Sequence, residues 1–307
     1  MNSRELGYLL LTGHLGDPRR RPLTVAQLRE LERCILRSER PRQDKDLVPE
    51  DLIALGCGEE TAVRVVSLLD DLPLLQSYLE KGKAADCRPI SRVSPEYPLR
   101  LRKCLNLDAP GCIWLKGNID LLNRPAVSLV GSRDLCAESE TFARTVGQMA
   151  AQFGFVLISG NARGADMIAQ ESCLRAGGSF ISIVADSLMA KKPADCVLYI
   201  SEEGFDLPFT NQRALSRNRL IHSMPCATFV AQCSNGSGGT WDGTCRNLRG
   251  QWSPVYCLAD GSAGVAKLYK MGAHLITTGK IHQVIAEIAP CVGENAYDFA
   301  KNDKMVK

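Results

Sequence analysis

Beyond residue 125, short apolar runs recur between helical patterns: Ala126–Val130, Phe155–Ser159, Phe180–Val184, Cys196–Ser201, Ala227–Ala231 and Val255–Leu258. They are rich in β-branched residues and lack the in-out alternation of a half-solvated sheet, which predicts strands covered on both faces. The segments between them carry helical spacing, most clearly Phe142, Val146, Met149 and Phe153 on one stripe, a core-facing pattern. Strands and helices that alternate in this way build a sheet with helices over each side. The expected fold is therefore α/β, with a doubly wound, mostly parallel sheet. Ligands on such sheets sit outside the carboxyl ends of the strands, so the segments that leave each strand are where chemistry is expected.

Residues 1–88 read as helical. Leu6, Leu9 and Leu10 begin one helix, and Val25, Leu28, Leu31 and Ile35 hold a three-to-four spacing through a second, with Thr24 as its N-cap. Arg19-Arg20-Arg21 falls between them. Asp51 to Gly58, followed by Ala62-Val63-Arg64-Val65-Val66, suits a short helix, a glycine hairpin and another helix. Helix-hairpin-helix modules hold DNA phosphates in this way, although the pattern is more often a small packing unit. Polar residues and prolines from Lys81 to Pro98 read as a linker. The expected organisation is a small N-terminal all-helical domain over 1–88, the doubly wound domain over 89–290 and a polar tail over 291–307.

The formal charge of +3 on 307 residues is too small to announce a nucleic-acid protein, so any polyanion site has to come from local clustering. The 13 cysteines are odd in number, and none forms a C-x-x-C or a Cys/His group at zinc spacing. Cys173, Cys196, Cys226 and Cys257 sit in or beside apolar runs, as small buried hydrophobes do. Reduced thiols in a cytoplasmic protein are expected, without metal or cofactor. Met1 to Glu5 does not open a signal peptide, and no apolar segment approaches the ~18 residues that span a bilayer.

Polar residues gather where strands end. Val130-Gly131-Ser132-Arg133 leaves the first run. Ser159-Gly160-Asn161-Ala162-Arg163-Gly164-Ala165-Asp166 leaves the second and enters a helix. Ser216-Arg217-Asn218-Arg219-Leu220-Ile221 opens another helix, and Asn235-Gly236-Ser237-Gly238-Gly239-Thr240 follows the strand at Ala227–Ala231. A glycine turn at a helix N-terminus presents converging N–H groups to an anion, and arginine adds a planar fork for phosphate oxygens. Taken singly, each loop is also a plain turn that needs glycine. Together they would put Arg133, Arg163, Arg217 and Arg219 on one rim, where four cations repel unless anions neutralise them.

The ordered set Tyr97-Pro98…Leu101, Leu115-Lys116-Gly117-Asn118, Val130-Gly131-Ser132-Arg133, Ser159-Gly160-x-Ala162-Arg163-Gly164-x-Asp166, Ser201-Glu202, Arg217-Asn218-Arg219-x-Ile221 and Gly272-Ala273-x-Leu275-Ile276 resembles the DNA-processing protein A family (DprA, or Smf), within the lysine-decarboxylase-like Rossmann folds. The resemblance runs from Tyr97 to about Ile276. It implies a Rossmann-like sheet, binding of single-stranded DNA without strong sequence preference, a homodimer, and loading of a RecA-type recombinase. By this resemblance Arg133, Arg163, Arg217 and Arg219 hold phosphates. Gly131, Ser132, Ser159, Gly160 and Gly164 give close backbone approach and small hydrogen bonds, with Asn218, Ser237 and Gly238 on the same rim. Asp166 would orient Arg163 or cap its helix. Phe205, Phe209 and Trp241 are candidates for stacking on bases or for the core, and Lys191, Lys192, Arg246 and Arg249 for a longer groove.

Several positions depart from the family pattern. Ala169-Gln170 stands where Ala-His is usual, Ala259-Asp260 replaces a Pro-Gly, and the loop at Ser237 reads Ser-Gly-Gly-Thr-Trp. The loop from Ala185 to Pro193 is shortened, and the winged helix that ends many members is not expected. Such a divergent branch leaves recombinase loading open beside a role in DNA defence against phage. A sensor of a nucleotide or nucleotide-derived signal would use the same loops. A phosphoribohydrolase would need a Glu three residues after Thr240; Asp242 is displaced by one, so no catalytic residue is expected.

Overall fold

The computed structural model describes residues 1–17, 19–36 and 46–289; the expected tail over 291–307 lies outside them. The chain opens with α1 (Ser3–Thr12), α2 (Val25–Leu36), α3 (Pro49–Ile53), α4 (Glu59–Leu69) and α5 (Leu72–Ala84). The sheet is built from β1 (Arg88–Ser91), β2 (Cys112–Gly117), β3 (Ala126–Val130), β4 (Val156–Ser159), β5 (Ser179–Ile183), β6 (Val197–Ser201), β7 (Ala227–Val230), β8 (Val255–Leu258) and β9 (His274–Ile276). Helices α6 (Leu99–Leu105), α7 (Ala137–Gln152), α8 (Ala165–Arg175), α9 (Asn211–Ser216), α10 (Asn218–Ser223), α11 (Gly239–Gly250) and α12 (Ala263–Lys270) lie between strands. Each of the six expected strands forms, to within a residue at either end.

Strand order is β1-β2-β6-β5-β4-β3-β7-β8-β9. From β6 to β9 every pairing is parallel, and β1 and β2 add an antiparallel edge. Both faces are buried. Val127, Leu129 and Leu157 face Phe142, Val146 and Ala169 of α7 and α8, whereas Val130, Ile158 and Ile181 belong to the opposite core with Leu220 and Ile221 of α10. Two dry faces explain why the runs read as continuously apolar. From β3 the chain winds outward through β4, β5 and β6, then returns to the other side of β3 as β7 and proceeds through β8 to β9. The winding direction reverses between β3 and β7, and the loops leaving those two strands part to open a crevice.

The stretch from Lys81 to Pro98 is not the expected linker. Helix α5 runs through Ala84, and β1 pairs along β2 from Arg88 to Ser91. Proline is tolerated at β1 because an edge strand has one unpaired side. The N-terminal helices have a core of their own around Leu31, Leu52, Ala62 and Val65. A second cluster joins Leu9, Leu10, Leu75 and Tyr78 to Trp114, Val184 and Phe205 of the sheet unit. There Tyr78, Trp114 and Phe205 pack with ring centroids 4.7–5.1 Å apart. Arg20 is buried as well: it pairs with Asp71 at 2.8 Å and donates to the carbonyls of Leu10, Gly13 and Leu68, so it ties α1 to α4 and α5. Among the described residues, no helix is long and apolar enough to cross a membrane.

A shared aromatic core couples the helical unit to the sheet. Phe205→Ala should lower stability by about 3–5 kcal/mol, with far-ultraviolet circular dichroism and tryptophan fluorescence reporting one coincident urea transition. Separate transitions would show that the two units fold independently.

Candidate nucleic-acid interface

The crevice at the winding reversal holds two adjoining pockets. The larger, about 550 Å³, is lined by Gly131, Ser132 and Arg133 after β3, by Asp166, Arg217 and Asn218, and by Ser237, Gly238 and Thr240 after β7. The smaller, about 280 Å³, is lined by Arg133, Gly160, Arg163, Asp186, Phe209 and Arg217. Arg133, Ala162, Ala214 and Arg217 form the wall between them. Ten of the thirteen expected site residues therefore converge here. Ser159, Gly164 and Arg219 do not line either pocket.

The turn from Ser159 to Asp166 is built around a buried carboxylate. Asp166 Oδ2 accepts from the backbone N–H of Gly160 at 2.9 Å and of Ala162 at 3.2 Å. It does not orient Arg163, as one reading of the sequence expected. Burial pushes the Asp166 carboxyl up, against the pull of the Arg217 guanidinium and the two N–H groups. Arg217 is itself buried, which lowers its pKa, while Asp166 and Asp186 act to keep it charged. Its Nη1 donates to the Ile183 carbonyl at 2.8 Å, and its Nε is buried with no partner among the described residues. A Cβ on Gly160 would stand 1.5 Å from Arg217 Nη1. Only glycine lets the backbone lie on that guanidinium. Gly164, at φ +84°, turns the chain into α8 with its Cα against the carbonyls of Ser132 and Arg133. Ser159 is fully buried and its Oγ accepts from Gln170, which also reaches Ser182. The departure at Gln170 is thus a satisfied amide beneath the turn.

The four arginines differ. Arg133 is exposed, and its side chain makes no hydrogen bond or ion pair among the described residues. Arg163 pairs with Asp134 at 2.7 Å, both largely exposed, an arrangement worth little that solvent or an anion can displace. Arg217 lies beneath the rim. Arg219 is turned away: it pairs with Glu202 and donates to the Asp108 and Ser216 carbonyls. The expectation that it lines the rim is corrected by helical geometry, because residues two apart point to different faces.

Across the crevice, α11 begins at Gly239 without a side-chain cap among the described residues, and the first N–H groups of a helix have no partner within it. Thr240 Oγ1 donates to the Gly131 carbonyl at 2.9 Å, and Asn218 Nδ2 to the Gly239 carbonyl at 3.1 Å. His222, also in the lining, is fully buried, and burial drives its pKa down to about 3. Sequence reasoning missed His222, Leu215 and Asp134. The first two could have been found by extending the Ser216–Ile221 segment one residue in each direction.

Of the stacking candidates, Phe205 is core, Trp241 is half-buried against the core, and Phe209 stands 52% exposed in the wall of the smaller pocket. The N-terminal hairpin forms as expected between α3 and α4. The Gly58 N–H that would face a phosphate instead donates to Glu30 Oε1 at 2.6 Å, and Thr61 Oγ1 to Glu30 Oε2 at 2.7 Å. These hydrogen bonds, Thr61 first, pull the Glu30 carboxyl down. The hairpin's anion seat is filled from within.

Residues 88–289 match the model of the family described as DNA recombination-mediator protein A. The chain belongs to that family. It is 30% identical over 195 residues to the DNA processing protein DprA of Streptococcus pneumoniae, covering 59% of this chain and 67% of that one. Protein Smf of Escherichia coli is 27% identical over 186 residues, covering 55% and 49%; the chain spans about half the length of that relative. The solved Streptococcus pneumoniae structure superposes with a TM-score of 0.64 at 23% identity, over 85% of this chain and 98% of that one. A Helicobacter pylori DNA processing protein A, described for its single-stranded DNA binding mode, gives 0.55 at 23% identity over 66% and 95%. In this family member the match begins at β1 and takes in every strand.

A neutral buried His222 ties stability to pH. Its folded pKa lies below the unfolded value near 6.5, so the unfolded chain binds the extra proton. The contribution is complete above pH 6.5 and is lost as pH falls toward 3. From pH 7 to 5, wild-type stability in urea should fall with a slope approaching ~1.4 kcal/mol per pH unit, and His222→Gln should flatten that slope. An unchanged slope in the variant would refute the assignment.

Proposed function

We propose that this chain binds single-stranded DNA at the crevice between β3 and β7, as a homodimer, and acts in DNA processing as a loader of a RecA-type recombinase or in a related defence against foreign DNA. One observation carries the reading. The unpaired Arg133, the loosely held Arg163 and the exposed Phe209 line one pocket, next to an uncapped helix N-terminus. Cations and N–H groups suit phosphates, and an exposed aromatic face suits an unpaired base. The single-stranded DNA named for the Helicobacter pylori neighbour supports the same ligand class.

The sensor reading draws on a different fact: two of the four cations that could lengthen the groove are compensated. Lys191 pairs with Asp186 at 2.6 Å and Arg246 with Asp242 at 3.0 Å. The latter pair also bears on the phosphoribohydrolase reading, since Asp242 does not line the crevice.

Anisotropy of labelled oligo-dT over a salt series separates these. Wild type should bind at low salt, with log affinity falling by ~0.7 per phosphate contact for each unit of log salt. Arg133→Ala and Arg163→Ala should each weaken binding and reduce that slope by ~0.7, whereas Arg219→Ala should leave the slope unchanged. No binding at low salt would favour the sensor.

The dimer is assigned to the β9 edge. Among the described residues this strand pairs only with β8, and its own Leu275 (41%) and Tyr269 of the preceding α12 (59%) are exposed. Pairing two such edges would cover both. Light scattering should give twice the chain mass for wild type and a monomer for Leu275→Arg; a wild-type monomer would overturn the assignment.

A further inference from the structure

A third cavity lies at the amino ends of β3 and β7, the end of the sheet opposite the crevice. It measures about 810 Å³ and is lined by Asn123 to Ala126 where the chain enters β3, and by Cys226 and Pro254 ahead of β7 and β8. Its apolar wall is formed by Leu121, Ala126 and Met224 together with Ile158 and Ile181 of the sheet, all members of one core cluster. Short elements cover the sheet here: the seven residues of α6 and a single turn of helix, Ile119–Asn123. The cavity is the space they leave. Its volume falls within the roughly 300–1,000 Å³ of small-molecule sites, and it shares no lining residue with either pocket of the crevice.

The charged groups in the lining are unevenly matched. Two carboxylates belong to it, and both are engaged: Glu96 pairs with Arg88 at 2.8 Å, and Glu287 accepts from Gln283 at 2.9 Å. Arg100 and Arg124 also line the cavity, and neither holds a carboxylate among the described residues. Arg100 donates to the Trp252 carbonyl at 3.1 Å, and Arg124 to the Gly154 carbonyl at 3.2 Å and to Ser179 Oγ at 3.4 Å. Arg100 Nε is buried with no partner among the described residues. A buried N–H that makes no hydrogen bond is costly, and charge-assisted bonds from a guanidinium to an anion are the strong ones.

We propose that this cavity binds an amphipathic organic anion, with an aliphatic or aromatic body against Leu121, Ile158 and Ile181 and a carboxylate or phosphate head facing Arg100 and Arg124. A bare phosphate would leave the apolar wall uncovered. An uncharged hydrocarbon would bury the two guanidinium groups further without giving Arg100 Nε an acceptor. An apolar body with an anionic head answers both. The site is independent of the crevice, and the proposal stands or falls apart from the single-strand reading.

Cys226, half-buried in the lining, reports occupancy. The test follows its alkylation by iodoacetamide on the full chain, by peptide mass spectrometry, with the exposed Cys136 on the loop after β3 as control. Octanoate, octyl phosphate and anilinonaphthalene sulfonate are the probes, and octanol is the uncharged comparison. An anion present about tenfold above its dissociation constant should slow Cys226 about tenfold and leave Cys136 unchanged. Octanol should need a concentration at least about tenfold higher than octanoate. Arg124→Gln should weaken the anions by about tenfold and leave octanol as it was. Leu99→Glu, at an exposed lining position in the first turn of α6, where an acid suits the helix, should exclude the anions while unfolding in urea as wild type does. Protection by only one of octanoate and octyl phosphate supports the site and identifies its head group. No protection of Cys226 by any of the anions, equal potency of octanol and octanoate, or full protection surviving in Leu99→Glu would overturn it.

Discussion

The opposed burial of Asp166 and Arg217 organises the site. Neither group is stable alone beneath a β-sheet edge: an unpaired buried charge costs several kcal/mol. Each has an opposite charge nearby and hydrogen bonds of its own, Asp166 to the N–H groups of Gly160 and Ala162, Arg217 to the Ile183 carbonyl. The carboxylate shapes the turn after β4, and the guanidinium supports that turn from beneath Gly160. Because Arg217 begins the α10 segment, the same contact fixes how α10 meets the strand ends. The crevice is the space left between this assembly and the loop after β7.

That arrangement changes the electrostatic argument. Four arginines on one rim would repel, and a bound polyanion is the simplest remedy if they all face outward. The protein has its own anions instead. Glu202 takes Arg219, Asp134 takes Arg163, and Asp166 with Asp186 offsets Arg217. What remains for a ligand is Arg133, a displaceable Arg163, a partly free guanidinium below them and the N–H groups of α11. The Glu30 carboxylate on the N-terminal hairpin follows the same pattern, filling a phosphate-like seat internally.

Legibility from sequence followed period and spacing. Strands buried on both faces leave continuous apolar runs, so β3 to β8 could be read directly; β1 has Arg88 and Pro89 in an edge position, and β9 is three residues long. β2 is an apolar run, Cys-Ile-Trp-Leu, that passes without a break into the Leu-Lys-Gly-Asn motif. The site loops were legible because glycine at Gly160 and Gly164 answers a backbone requirement. Side-chain direction was not. Arg217 and Arg219 look equivalent in a line of letters, yet two helical steps of about 100° each send them to different faces. Asp166 was tied in expectation to the nearest arginine in sequence, whereas its electrostatic partner stands 51 positions away. His222 follows the last residue of the Ser216–Ile221 segment, and the Asn247 and Ser253 side chains that meet it come from another segment.

Compensation of part of the basic surface also constrains how affinity can arise. Phosphate contacts release counterions and give binding that salt abolishes, and a long groove multiplies them. Here Lys191 and Arg246, which could have extended such a groove, each hold a carboxylate at 3.0 Å or less. Displacing those acids would return part of whatever Coulomb energy a phosphate supplied. A strand held by few phosphates has to gain the rest of its affinity from bases, through stacking and enclosure. A short site that grips bases would depend only modestly on salt and would discriminate strongly against duplex, since pairing hides the surfaces it uses.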